Sequence, residues 1–241
     1  MTVPAALPVR DAATVLVARD GAAGLEVYLV RRHAKASWLG DVYVFPGGAV
    51  DERDRAAAGA RVRGSAGDVD PAFAITAARE SFEEAGLLFA DRPIAFEALS
   101  AARRAMLEGM LTFEQVLERF DTRVDASQLR FFSRWITPAG VEPRRFDARF
   151  FVGRVPHDQI AEADTLEVLD GRWIAPRDAL AAHERGELGM IFPTIKHLER
   201  IAPYRTVDEL LGFAASKRIA TVQPQVTADG LALPPELVDA W

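Results

Sequence analysis

Short apolar runs and helical stripes alternate along this chain. Ala13 to Ala18 and Leu25 to Arg32 are rich in Val, Leu and Tyr and flank Arg19-Asp20-Gly21, which predicts two strands joined by a turn. Val42 to Phe45 reads as a third strand. Pro46-Gly47-Gly48 stops it, because proline removes a backbone donor and glycine permits positive φ. Asp51 to Asp70 is small and charged with no apolar period, which predicts an exposed loop. A helix is predicted from about Pro71: Ile75, Ala78, Phe82 and Ala85 recur at helical spacing, and Gly86 stands at its C-terminal end. Leu87 to Phe89 then returns toward the sheet. Pro93 to Phe120 carries a helical pattern interrupted near Gly109 and reads as two helices added to the sheet. Strand character resumes at Arg130 to Thr137, Phe146 to Arg154 and Glu167 to Ile174. Asp178 to Arg185, Pro193 to Ile201 and Val207 to Ser216 are predicted helices, and Thr221 to Trp241 is a proline-containing tail.

A chain of 241 residues, 49% hydrophobic, can bury a substantial core, and one folded body spanning 1–241 is the default expectation. A formal charge of -6 argues against holding nucleic acid by bulk phosphate neutralisation. With no cysteine there is no disulfide framework, no thiolate metal site and no cysteine nucleophile, so any metal must sit on oxygen or imidazole. No stretch has the length or character of a membrane span or a secretory leader, and a cytoplasmic location is expected.

The chemistry concentrates in Arg79-Glu80-Ser81-Phe82-Glu83-Glu84-Ala85-Gly86-Leu87. A helix brings Glu80, Glu83 and Glu84, at i, i+3 and i+4, onto one face. Like charges at that spacing destabilise a helix by about 0.2 to 0.5 kcal/mol per pair, which a cation would offset. Hard divalent ions fit: Mg²⁺ takes a few carboxylates and completes its shell with water and phosphate. An isolated Glu-x-x-Glu-Glu is more often a solvated acidic face, but here a strand ending in Pro46-Gly47-Gly48 precedes it, and glycine lets a ligand approach the backbone closely.

These pieces resemble the Nudix box, G-x5-E-x7-R-E-U-x-E-E-x-G-U, with U a bulky aliphatic residue. Gly48 takes the opening glycine, Asp54 the first acid, and Arg79, Glu80, Glu83, Glu84, Gly86 and Leu87 their places. Asp54 replaces Glu, Ser81 replaces U, and residues 55–78, 24 in all, stand where the pattern has seven. An insertion there costs little closure entropy. A split box of this kind resembles the Nudix branch that includes peroxisomal coenzyme A diphosphatases. Trp135-Ile136-Thr137-Pro138, Arg144-Arg145-Phe146-Asp147 and Phe150-Phe151 add a second likeness. The extra coenzyme A motif before Pro46 is matched only loosely by Trp38 to Phe45, where Gly40 stands one residue out of place.

The resemblance implies an α/β/α Nudix sandwich with a mixed sheet, a helical insertion at about 93–120 and C-terminal helices and tail at about 193–241. It implies a hydrolase that uses Mg²⁺ or Mn²⁺ to cleave a diphosphate linkage in a small nucleoside diphosphate derivative such as coenzyme A or its acyl esters. ADP-ribose or NADH is the alternative substrate, and a ligand sensor without turnover the alternative class. Carried over by position, Glu83 and Glu84 are metal ligands, Glu80 is a further ligand or the base, Gly48 belongs to the metal site and Gly47 to the same turn. Arg79 pairs with Asp54 to hold the helix against its loop. Among the later acids Glu162, Asp164 and Glu167, the last is preferred as a catalytic acid or base. Arg31, Arg32, Arg144 and Arg145 are candidates for phosphate, because a guanidinium fork matches phosphate oxygens. Trp38 and Tyr43 could stack on a base or pack in the core. The histidines His33, His157, His183 and His197 have no ligand spacing and read as ordinary surface or core residues. A homodimer is the oligomer such enzymes favour.

Overall fold

A computed structural model describes residues 8–32, 41–141, 144–163 and 168–241. Strands β1 (Val9–Gly21) and β2 (Gly24–Arg32) form the predicted hairpin, followed by β3 (Tyr43–Val44) and β4 (Gly47–Ala49). Helix α1 (Glu52–Arg61), the two-residue strand β5 (Val62–Arg63) and helix α2 (Pro71–Ala85) come next. The insertion holds α3 (Phe96–Leu107) and α4 (Phe113–Arg119), separated at Gly109 as expected. Then follow β6 (Val124–Asp125), β7 (Leu129–Ile136), β8 (Arg145–Arg154) and β9 (Val168–Ile174). Helices α5 (Pro176–Glu184), α6 (Phe192–Ile201) and α7 (Val207–Ser216) precede three short strands, β10 (Thr221–Val222), β11 (Gln225–Thr227) and β12 (Gly230–Ala232).

Among the described residues the main sheet has eight strands, with the path β10-β7-β8-β1-β2-β3, β4 added on β1 and β9 on β2. It is mixed: β1 runs parallel to β8 and antiparallel to β2 and β4. Strand alternation divides β1 between two cores. Ala13, Val15 and Val17 pack with Phe73, Ala74, Ala77 and Ala85 of α2, while Leu16 and Ala18 pack with Leu198, Ile201 and Leu210 of the C-terminal helices. Helices thus cover both faces of the sheet.

Helix α2 begins at an Asp70 cap with Pro71 in its first turn and ends on Gly86, whose φ of 71° suits a left-handed cap. The stripe Ile75, Ala78 and Phe82 meets Leu99, Ala102, Met106 and Phe113 of the insertion, so the α3–α4 lobe packs on α2. The sheet side of α2 carries mostly alanine, which brings its axis close to β1 and β4.

One expectation is corrected. Asp51 to Asp70 is not an open loop, because α1 occupies its first half. Asp51 accepts from the Asp54 N–H (2.7 Å), and Asp54 accepts from the Asp51 N–H (3.2 Å), a reciprocal cap that starts the helix. Its buried residues are Asp54, Ala57 and Ala58, a polar and small face with no apolar stripe to read. The tail from Thr221 packs into the core. Val222 is fully buried, and Trp241 enters an aromatic cluster with Trp135 and His197. Leu87 and Phe89 do return to the sheet core, though they form no strand of it. Among the described residues, no helix is long and apolar enough to cross a membrane.

Candidate active site

Strand β4 carries the glycine turn against β1, with Gly47 opposite Thr14 and Gly48 opposite Ala13. The fit is close: a Cβ on Gly47 would overlap Thr14 and the Ala13 carbonyl, and one on Gly48 would fall within the Glu80 carboxylate. Helix α2 supplies the acids. Glu84 accepts the Gly47 N–H at 3.0 Å, and both Glu80 and Glu84 are largely buried.

Arg79 ties this arrangement to α1. Its Nε donates to Asp54 Oδ1 (3.0 Å) and its Nη2 to Asp54 Oδ2 (2.9 Å) and to the Ala49 carbonyl (3.1 Å). Its Nη1 donates to Glu80 (2.7 Å) and Glu83 (3.1 Å). Burial works against the Arg79 cation, but the hydrogen bonds to Asp54 and the charges of Glu80, Asp54 and Glu83 outweigh it and raise its pKa. Asp54 is only 3% exposed and also accepts from Thr76 Oγ1 (2.8 Å). The far end of α2 is fixed from the insertion, where Arg103 donates to the Glu83 carbonyl from Nε (3.1 Å) and Nη2 (2.8 Å).

A cavity of about 380 Å³ opens beside the turn. Glu80, Glu84, Gly47 and Gly48 line it together with Arg10, Arg32 and Arg144. Glu83 is not in its wall; its carboxylate turns toward Arg79, one helical turn back. Of the proposed phosphate arginines, Arg32 and Arg144 reach the cavity and their neighbours do not. Arg31 forms an ion pair with Asp41, and Arg145 Nε donates to the Thr137 carbonyl at 3.0 Å. Adjacent strand residues point to opposite faces, which separates Arg31 from Arg32 on β2, whereas Arg144 stands just before β8, whose first residue is Arg145. Glu167 and Asp164 lie outside the described residues, as do His33 and Trp38. Exposed Glu162 docks its loop on α2, its N–H donating to the Ala85 carbonyl at 3.0 Å. Tyr43 is 4% exposed and donates to Asp170 (2.7 Å), a core position and not a stacking platform. His197 is wholly buried against Phe150, and His157 is exposed.

Sequence reasoning missed Arg10 and Thr14. Both share the Ala12 face of β1; strand alternation would have located Arg10 had the strand been extended back to Val9, and Thr14 already lay within the predicted Ala13 to Ala18 strand. It also missed Pro224 and Leu231 of the tail, which line the cavity with Trp135, Phe146 and Phe150. The second motif proves to be cavity wall: Trp135, Ile136, Thr137, Pro138, Arg144 and Phe146 all contribute.

Among the described residues, no three His, Cys, Asp or Glu side chains gather into a metal cage. Two carboxylates open to a cavity suit Mg²⁺ or Mn²⁺ nevertheless, since such ions take one or two protein carboxylates and draw their other ligands from water and phosphate.

A family model described as the NUDT19 Nudix domain matches residues 59–201. The acyl-coenzyme A diphosphatase NUDT19 of Gallus gallus is 25% identical, with 87% of this chain and 72% of the relative covered. Its Homo sapiens counterpart is 27% identical over 67% of this chain and 48% of its own length. The crystal structure of a Nudix hydrolase from Alicyclobacillus acidocaldarius superposes with a TM-score of 0.74 at 32% identity, covering 86% of this chain and 96% of that one. The chain is therefore a Nudix hydrolase and belongs to the family of the NUDT19 Nudix domain.

Proposed function

We propose that this hydrolase cleaves the diphosphate linkage of coenzyme A or an acyl-coenzyme A, with Mg²⁺ or Mn²⁺ as its cofactor. The observation that carries the reading is the pairing of Glu80 and Glu84 with the Gly47-Gly48 turn, in one cavity with three arginines. The substrate class follows from the relatives named acyl-coenzyme A diphosphatase and from the apolar side of the same cavity.

Glu80 and Glu84 would hold the divalent cation. When bound, it neutralises charge on the phosphates and lowers the pKa of water. Arg10, Arg32 and Arg144 pair with the remaining phosphate oxygens and orient the diphosphate. Arg79 keeps the Glu80 carboxylate in position, and the Gly47 N–H does the same for Glu84. Hydrolysis adds water across one P–O bond of the linkage, and the proton leaving that water passes to Glu80 or Glu167. Glu83 supports the site through Arg79.

A panel of coenzyme A, an acyl-coenzyme A, ADP-ribose and NADH, each with Mg²⁺ and with Mn²⁺, tests the reading. The coenzyme A compounds are expected to have the highest kcat/KM. A kcat/KM for ADP-ribose well above theirs would overturn the substrate assignment and leave the diphosphatase chemistry standing.

A further inference from the structure

Residues 221–241 lie beyond every motif described above, yet they build part of the catalytic cavity. Pro224 and Leu231 stand in its wall together with Glu80 and Glu84. Two anchors hold this segment in place. At one, Val222 pairs in parallel with Trp135 on the edge of the sheet. At the other, the Trp241 ring sits 5.0 Å from Trp135 and 4.9 Å from His197, and Arg200 Nη2 donates to the Asp239 carbonyl at 3.2 Å. Between them runs the β11–β12 hairpin, in which Leu231 is paired with the exposed Val226. Leu233 and Leu237 pack on the core, whereas Leu231 is not among the residues of that cluster. Leu231 is half-buried and stands in the cavity lining.

The cavity is chemically divided. Carboxylates and arginines offer partners to a metal-bound diphosphate, while Leu231, Pro224, Phe146 and Phe150 offer it only hydrocarbon side chains. A hydroxyl placed against such a surface loses its water without gaining a hydrogen bond, and an aliphatic group there gains burial. We propose that Leu231, on a hairpin held by Val222 and Trp241, is a specificity-determining residue that favours diphosphates carrying an apolar chain over those carrying a polar sugar. The inference rests on the substrate reading above and adds the element that enforces it. Hydrophobic pockets discriminate roughly 10- to 200-fold per methylene, so truncating Leu231 should be visible in a ratio of rates.

The test uses the full chain with Mg²⁺ and two substrates built on adenosine diphosphate, octanoyl-coenzyme A, whose ribose carries a further 3′-phosphate, and ADP-ribose; that difference is the same for wild type and variants and cancels when their ratios are compared. The readout is the ratio of their kcat/KM values in wild type, Leu231→Ala, Leu231→Asp and Leu231→Met. Leu231→Ala should lower the ratio about tenfold and Leu231→Asp further, mainly through KM for the octanoyl substrate, while Leu231→Met stays within about threefold of wild type. Circular dichroism on each variant separates a lost wall from a lost fold. Wild-type ratios in both Leu231→Ala and Leu231→Asp would overturn the proposal. Absence of octanoyl-coenzyme A turnover in the wild type would instead remove the substrate reading, and the inference with it, before any variant is compared.

Discussion

The carboxylate of Glu80 lies so close to the Cα of Gly48 that a single methyl group added to the glycine would overlap it. Gly48 is not in the left-handed region of backbone space, so its glycine is required for room and not for its dihedral angles. Sequence positions 32 apart are joined by this contact, which fixes where the α2 acids stand relative to the turn. Gly48→Ala should therefore displace Glu80 while leaving the strand intact. We expect kcat to fall about 100-fold or more, since misplacing a catalytic group by about 1 Å has that effect, with Tm changed by only a few degrees. Steady-state kinetics beside a thermal melt checks both halves.

Arg79 is the cation for a buried carboxylate. Arg79→Met leaves Asp54, 3% exposed, with only Thr76 and the Asp51 N–H as partners, and should destabilise the protein by about 3 to 5 kcal/mol in urea unfolding. Arg79→Lys keeps the charge but not the fork that reaches Asp54, Glu80, Glu83 and the Ala49 carbonyl together. Its loss of stability should be smaller, and its loss of kcat should still be plain.

His197 makes stability depend on pH. Its Nδ1–H donates to the Pro193 carbonyl (2.7 Å), and in the neutral ring that burial favours Nε2 accepts from the Ser133 hydroxyl (2.8 Å). Burial pushes its pKa down to about 3; the Pro193 carbonyl opposes that shift and Lys217 adds to it. Between about 6.5 and 3 the unfolded chain binds the proton and the folded chain does not, so this contribution is intact above pH 6.5 and is lost as pH falls. About 2 kcal/mol should disappear between pH 6.5 and 5. In His197→Gln, which does not titrate, ΔG of unfolding should vary less over that interval.

Ser81 stands where the Nudix box has an aliphatic residue, and among the described residues its buried hydroxyl has no hydrogen-bond partner. Removing an unsatisfied buried donor should help. Ser81→Ala is expected to raise stability by about 1 kcal/mol, or Tm by about 2 to 4 °C, with kcat near wild type. A lower Tm would mean that the hydroxyl is stabilising.

What could be read from the sequence follows physical periodicity. Helix α2 announced itself through Ile75, Ala78 and Phe82, and Gly86 marked its end. The contact of Asp54 with Arg79 followed from the box resemblance despite the 24 residues between them. Helix α1 was hidden because its buried face is alanine and aspartate, and apolar patterning is blind to a helix held by a reciprocal cap and an ion pair. The tail was hidden for another reason: its strands are two or three residues long and depend on Trp135 and Trp241, a contact across 106 positions that no local pattern encodes. Only half of the arginine pairs reached the cavity, since a run of two arginines does not say which one a strand turns inward.

Glu84 offers the most direct test of the account, because its carboxylate binds the glycine turn and lines the cavity at once. The measurement is turnover of an acyl-coenzyme A by Glu84→Gln in saturating Mg²⁺, with the fold checked by circular dichroism. kcat/KM should drop at least about 100-fold while the amide keeps the Gly47 contact and the fold. A folded Glu84→Gln enzyme that turns over at close to the wild-type rate would contradict it.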